Sequence, residues 1–319
     1  MDYKFVHDID CKQGAVRSVR FSVDGAYVIT CGSDRKLKLW NPYRRALLKT
    51  YGGHGDEVMD ACAACDSGQI VSGGLDKSVI VWDVATGTPV RRLRGHASAV
   101  TCVRFNEESS MVVSGSRDNS TMCWDVRSRA QEAVQSLREA KDAISSVRVT
   151  DHEILTASFD GKIRRYDIRV GEVSTDCMGD AVTCASFTRD GQCILTSCAD
   201  GVIRLMDKDS GELLGEFSGH VAHDLCLESS VDSQDTQILS GSGDGRLWIW
   251  DLGVMGLITP GGVTVIGEDD DFATQEMSAF SPRVNFCPRC ARASNFTHGE
   301  KTHFSPLWHN ILFRPVVAS

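Results

Sequence analysis

Apolar side chains recur along this chain in short alternating bursts rather than at helical spacing. Val19 and Phe21, and later Leu37 and Leu39, alternate with polar neighbours, the pattern of strands with one face turned toward a core. One stretch shows the unit clearly. Val58 and Cys62 mark a first strand, Ile70 to Ser72 a second, Val79, Val81 and Trp82 a third, and Val90 with Leu93 a fourth; Thr86-Gly87 turns the third into the fourth. Asp24-Gly25 and Asp190-Gly191 mark first hairpins in other units. The third strands end alike: Trp40-Asn41, Trp82-Asp83, Trp124-Asp125, Tyr166-Asp167, Met206-Asp207 and Trp250-Asp251 follow at intervals of 42, 42, 42, 40 and 44 residues. A period of about 40 to 45 residues built from four strands is that of a β-propeller blade.

Other positions keep the same register. Six residues before each of these pairs stands an Asp: Asp34, Asp76, Asp118, Asp160, Asp200 and Asp244. Four residues before each Asp is a hydroxyl: Thr30, Ser72, Ser114, Thr156, Thr196 and Ser240. Asp followed by Gly, at Asp160, Asp200 and Asp244, suits a tight reversal, because Gly accepts positive φ. In three repeats a His lies upstream, giving the sets His54/Ser72/Asp76/Trp82, His96/Ser114/Asp118/Trp124 and His220/Ser240/Asp244/Trp250. Their donors and acceptors match, indole N–H to hydroxyl to imidazole to carboxylate. From Gly14 to Leu252 the chain resembles the WD-repeat family, whose structural signature is this tetrad. Repetition of the His, Ser and Asp set in three units speaks for packing and against a hydrolytic triad. The first, fourth and fifth repeats have no such His, and are expected to rely more on apolar packing.

With 319 residues, 42% of them hydrophobic, the chain can bury a large core; a net charge of −9 argues against general nucleic-acid binding through phosphate neutralisation. The first twelve residues form no signal-peptide core, and the uncharged stretch Leu252 to Gly267 is too short to span a bilayer. A soluble intracellular protein, without membrane or cofactor, is expected. The thirteen cysteines are odd in number and fall mostly within strands, as small apolar residues of a reducing compartment do. Cys62 and Cys65, on opposite faces if they share a strand, are not expected to bind metal.

Residues 1–252 are read as the propeller and 253–319 as a divergent tail, partly disordered, a degraded last blade, or a splice or gene-model product. Tyr3 to Ile9 is the expected outer strand of a closing blade. An all-β, seven-bladed plan with six recognisable repeats and a divergent last blade is preferred, with six blades as the alternative. In the tail Cys287, Cys290, His298 and His303 are zinc-ligand types. The seven residues between Cys290 and His298 fall short of the about 12 to 15 of a finger, so zinc is not expected.

No catalytic constellation stands apart from the repeat, and a non-enzymatic interaction platform is the expectation. Residues preceding each turn Asp project at the channel rim: Ser33, Leu75, Arg117, Phe159, Ala199 and Gly243. Leu75, Arg117 and Phe159, extended by Arg17 and Met59, form the candidate partner site, since apolar, aromatic and Arg side chains suit interfaces. The runs beginning at Gly14, Val103, Asp151 and Asp190 are similar to WD-repeat scaffolds that organise mitogen-activated protein kinases. That resemblance implies assembly of components of the extracellular-signal-regulated kinase cascade, and association with the spliceosome and pre-mRNA splicing. An alternative comes from Asp125/Arg127 and Asp167/Arg169, which resemble the paired motif by which substrate receptors dock on a cullin-RING ubiquitin ligase adaptor.

Overall fold

The computed structural model describes residues 7–128, 130–222, 226–232, 234–252, 263–266 and 311–314. Twenty-four strands fall into six antiparallel four-stranded sheets in sequence order. Blade one is β2 (Val16–Phe21), β3 (Val28–Gly32), β4 (Lys36–Asn41) and β5 (Ala46–Gly52); blade two is β6 (Val58–Ala63), β7 (Gln69–Gly74), β8 (Ser78–Asp83) and β9 (Pro89–Arg94). Blade three comprises β10 (Val100–Phe105), β11 (Met111–Ser116), β12 (Thr121–Asp125) and β13 (Gln135–Leu137). Blade four comprises β14 (Ile144–Val149), β15 (Glu153–Ser158), β16 (Lys162–Asp167) and β17 (Glu172–Cys177). Blade five is β18 (Val182–Phe187), β19 (Cys193–Cys198), β20 (Ile203–Asp207) and β21 (Leu213–Phe217); blade six is β22 (Ser229–Val231), β23 (Gln237–Gly241), β24 (Leu247–Asp251) and β25 (Val263–Ile266).

Period-2 geometry explains the packing. In β8, Val79 and Val81 join Val100, Val103 and Trp124 of blade three, while Ile80 and Trp82 turn the other way onto Ile29, Leu37 and Tyr51 of blade one. Both faces of β8 are thus buried, which is why it reads as a nearly unbroken apolar run. The same interleaving repeats between blades three and four, four and five, and five and six. Each fully buried aliphatic side chain contributes about 1.5 to 3 kcal/mol.

The preferred seven-bladed plan is not what the described residues form: they make six four-stranded blades. The sixth is completed by β25, past residue 252, paired antiparallel with β24. Nor is the N-terminal strand the outer member of a four-stranded blade. β1 (His7–Asp10) pairs in parallel with β26 (Ile311–Arg314), His7 opposite Ile311 and Asp10 opposite Arg314. Ile9 and Cys11 pack on Val16, Val19, Val28 and Trp40, the face of blade one that blades two to six turn toward their predecessors. Among the described residues no helix is long and apolar enough to cross a membrane, and no group of three or more His, Cys, Asp or Glu is placed to hold a metal. Cys65 lies past the end of β6; Cys287, Cys290, His298 and His303 lie outside the described residues.

Candidate functional site: the channel rim and what holds it

The turn between second and third strands is built identically in all six blades. Each turn Asp accepts the backbone N–H two residues on, from Lys36, Ser78, Ser120, Lys162, Val202 and Arg246, at 2.9 to 3.2 Å. The intervening residue has positive φ whether or not it is Gly: Arg35, Lys77 and Asn119 in blades one to three, Gly161, Gly201 and Gly245 in blades four to six. Gly lacks the Cβ penalty of this conformation, and the three side chains bear it. The residue before each Asp is pinned by its own N–H to the residue leading into the first strand. Ser33 bonds to Ala15, Leu75 to Glu57, Arg117 to Ala99, Phe159 to Ala143, Ala199 to Ala181 and Gly243 to Val221. The rim backbone is thereby fixed, and only side chains vary.

Arg117 is exposed, whereas Leu75 and Phe159 are half-buried. No carboxylate among the described residues pairs with Arg117, although its charge reaches Cys226 of blade six. Arg17 and Met59 occupy the bulge that shifts register at the start of the first strand, a device that re-aims a side chain. Thr101, Ser145 and Thr183 sit at the same bulge in blades three to five, and their hydroxyls donate to carbonyls of the next blade: Ile144 at 2.6 Å, Val182 at 2.6 Å and Leu227 at 3.2 Å. Arg17 instead pairs with Glu57 at 3.0 Å. Met59, with no polar group to clasp a neighbour, leaves its position to apolar contact.

Beneath the rim, the tetrads of blades two and three are joined as expected. Trp82 Nε1 donates to Ser72 Oγ at 2.8 Å, His54 Nε2 lies 2.7 Å from that oxygen, and His54 Nδ1 is 3.0 Å from Asp76. The corresponding distances for Trp124, Ser114, His96 and Asp118 are 2.8, 2.8 and 3.1 Å. Burial pushes the His96 imidazole pKa down, outweighing the attraction of Asp118. Burial pushes the Asp118 carboxyl up, but hydrogen bonds from Ser120, Ala97 N–H and His96 leave it below its usual range. These histidines and carboxylates are engaged in holding the turn.

The sixth set departs from expectation. His220 packs edge-on against Trp250, with centroids 5.4 Å apart, but its Nδ1 is buried without a partner. Ser240 Oγ donates to Gly241 O at 3.0 Å, and Asp244 serves the turn alone. Trp248 stacks on Trp250 at the position held by Ile80 and Met122 in the joined tetrads.

Blades without His are not left to apolar packing. In blade one Gln13 takes the part of His: Thr30 Oγ1 donates to its carbonyl, and its amide donates to Asp34 at 3.0 Å. Trp40 Nε1 still donates to Thr30 at 2.9 Å. In blades four and five an Arg four residues past the turn Asp holds it, Arg164 to Asp160 and Arg204 to Asp200, each at 2.6 Å. Burial opposes ionisation of Asp160, and Arg164 overcomes it, holding the carboxyl low. Gln13 sits one residue out of register with the histidines, whereas Arg164 and Arg204 share a fixed offset legible in the sequence.

At the opposite ends of the third strands, Asp125 and Asp167 accept the N–H of Arg127 and Arg169 at 2.8 Å. Both guanidiniums stand in solvent, with side chains 76% and 65% exposed.

Sequence reasoning did not anticipate a charged cluster at the centre of the ring. The residues pairing with the six hydroxyls are Val19, Ala61, Val103, Val147, Ala185 and Ser229. Arg20, Arg104 and Arg148 each follow such a position, while Asp60 and Glu228 precede one. Arg20 forks onto Glu228 at 2.6 and 2.7 Å and also reaches Asp60 at 3.1 Å; Arg104 pairs with the other Asp60 oxygen. Burial acts against both carboxylates, yet the guanidiniums hold them ionised, Arg104 foremost for Asp60 and Arg20 for Glu228. Recurrence of Val-Arg before Phe or Val, at 19–21, 103–105 and 147–149, was the available signal.

The family model described as WD domain, G-beta repeat matches residues 3–41, 45–83, 87–125, 173–207 and 211–251. The skipped stretch holds most of blade four, where Tyr166 replaces Trp. WD repeat domain-containing protein 83 of Rattus norvegicus is 62% identical over 265 residues, spanning 82% of this chain and 84% of that protein. The Homo sapiens protein of that name is 59% identical over the same shares, and a Dictyostelium discoideum homolog is 31% identical over 75% of this chain and 82% of its own length. The chain belongs to the WD-repeat family, in the group formed by WD repeat domain-containing protein 83 and its homologues.

Proposed function

We propose that this chain is a non-enzymatic scaffold that holds proteins together through the rim formed by Leu75, Arg117 and Phe159, with Met59 beside them. The supporting observation is the division of labour at the turns. Six backbones are clamped alike, the titratable groups beneath the rim are tied up in structure, and the side chains above it are free to differ. The resemblance of its sequence runs to WD-repeat kinase organisers supports partners from the extracellular-signal-regulated kinase cascade and the spliceosome, and with them a place in the cytoplasm and nucleus. Replacing Leu75, Arg117 and Phe159 together by Ala should weaken binding to a captured kinase-cascade or splicing component at least about tenfold, a loss typical of interface anchors. Unchanged affinity for every partner, measured on folded protein, rejects the rim site.

The exposure of Arg127 and Arg169 supports a second reading, docking to a cullin-RING ligase adaptor through bidentate Arg contacts. Adaptor co-purification that Arg127→Ala with Arg169→Ala abolishes would favour it, and persistence of kinase binding in that variant would separate the two roles. We also infer a seven-blade plan in which β1 and β26 stand in the seventh place. Its support is the packing of Ile9 and Cys11 on the face of blade one that elsewhere meets a preceding blade. A density map with six blades evenly filling the ring would reject this plan.

A further inference from the structure

Among the described residues, the charges of the central cluster do not balance. Arg20, Arg104 and Arg148 face two carboxylates, Asp60 and Glu228, and both are taken: Asp60 by Arg20 and Arg104, Glu228 by Arg20. Arg148 is left over. It is 4% exposed, donates from one terminal nitrogen to its neighbour Val147 O at 3.0 Å, and meets only the Cys184 sulfur at 3.9 Å with the other. Its Nε is buried without a partner. On the next blade, Ser186 occupies the same position as Arg148, one past the residue that pairs with the hydroxyl. Ser186 is 0% exposed, and its Oγ is also buried without a partner. Two orphaned polar groups thus stand at equivalent positions on adjacent inner strands, one a cation. Ser146 Oγ, between Ala185 N–H at 2.9 Å and Ala185 O at 3.5 Å, ties these strands together.

A buried guanidinium without a counter-charge is among the costliest things a protein interior can hold, and the structural remedy is an acceptor that carries charge. Glu228 acts on Arg148 only at a distance, while Arg104 and Arg20 repel it. We propose that a small monovalent inorganic anion of the size of chloride binds at the centre of the ring between blades four and five, accepting hydrogen bonds from the Arg148 guanidinium and the Ser186 hydroxyl. Near-complete burial of both groups selects a small ion over the carboxylate of a docked peptide. With the anion in place, the three described cations meet three negative charges. The innermost strands of blades four and five then share a ligand as well as the Ser146 clasp.

The test is thermal unfolding of the full chain at fixed ionic strength, with chloride or bromide replacing a bulky anion such as gluconate. Binding to the folded state alone gives a rise that grows with the logarithm of halide concentration above its dissociation constant, about 5 °C once the halide is near 100 times that constant. The rise should vanish in Arg148→Met and shrink in Ser186→Ala, while Arg148→Met in gluconate melts no lower than the unsubstituted chain. A midpoint indifferent to halide, or a halide response preserved in Arg148→Met, overturns the proposal. Should Arg148→Met fail to fold, bromide-soaked crystals of the unsubstituted chain decide. An anomalous peak within hydrogen-bonding distance of Arg148 Nε and Ser186 Oγ supports the site, and its absence there overturns it.

Discussion

Blades two and three differ from blades four and five in how they secure the same turn. In the first pair a buried imidazole links the carboxylate to a hydroxyl and an indole, so that Trp, Ser, His and Asp form one connected path. In the second pair a guanidinium reaches straight to the carboxylate, and the hydroxyl has no imidazole; it keeps the bond to the carbonyl eight residues on, Thr156 to Arg164 O at 3.4 Å and Thr196 to Arg204 O at 3.3 Å, which Ser72 and Ser114 also make. Met178, eighteen residues before Thr196 where blades two and three carry His, offers that hydroxyl only a sulfur at 3.6 Å. The turn tolerates either device because it asks for only one thing, an ionised carboxylate aimed at the N–H two residues ahead. What differs is the liability each brings. The His96 relay, its imidazole pKa held down by burial, is exposed to acid, and an Arg–Asp pair is exposed to loss of one member.

The sharpest way to break the comparison is Arg164→Met, which strands a nearly buried Asp160. Removing one member of such a pair costs about 3 to 5 kcal/mol, measurable by urea unfolding; a loss under about 1 kcal/mol would mean that the turn N–H groups alone sustain the carboxylate. Ser72→Ala should cost about 2 to 3 kcal/mol, because it orphans both the Trp82 indole N–H and the His54 ring nitrogen. Thr196→Ala in blade five should cost about 1 kcal/mol, since no indole depends on it. Equal losses at the two sites would erase the distinction.

Acid provides the next test. The His96 and His220 pKa values lie below the ordinary value in the folded chain, both chiefly through burial, so the unfolded chain binds the proton more readily. Stability is therefore full above the unfolded His value of about 6.5 and falls as pH drops from there toward the folded values. His96→Gln should flatten that acid limb, whereas Arg204→Gln should lower stability without changing its slope there. Smallest is Lys77→Gly, which removes a side chain from a positive-φ position and should shift stability by no more than about 1 kcal/mol, in the stabilising direction.

Much of this was legible in the sequence because a propeller repeats its constraints. The hydroxyl and the turn Asp recur at fixed offsets, followed by an aromatic or Met206; the Asp caps its turn in every blade, and the full path from indole to carboxylate forms in blades two and three. The backbone before each turn Asp was legible for the same reason, since the turn fixes it. Less legible was anything joining different repeats. Arg20 finds Glu228 across 208 positions, a pairing no local offset reveals. Gln13 hid one residue out of register, and an amide does the work of an imidazole there because it too presents one acceptor and one donor. The sixth tetrad shows the opposite error. All four residue types are present, yet the Ser240 hydroxyl turns to a backbone carbonyl and the circuit stays open.

The six clamps at the rim have a consequence for how such a protein changes over time. Because Ser33, Leu75, Arg117, Phe159, Ala199 and Gly243 are held by their main chains, the fold asks little of the side chain each displays, Ser33 alone adding hydroxyl bonds to Ala15 N–H and Gln13 O. They behave as six letters of a word that can be respelled one at a time without disturbing the page on which it is written. A lineage that needs a new partner has only to edit the spelling.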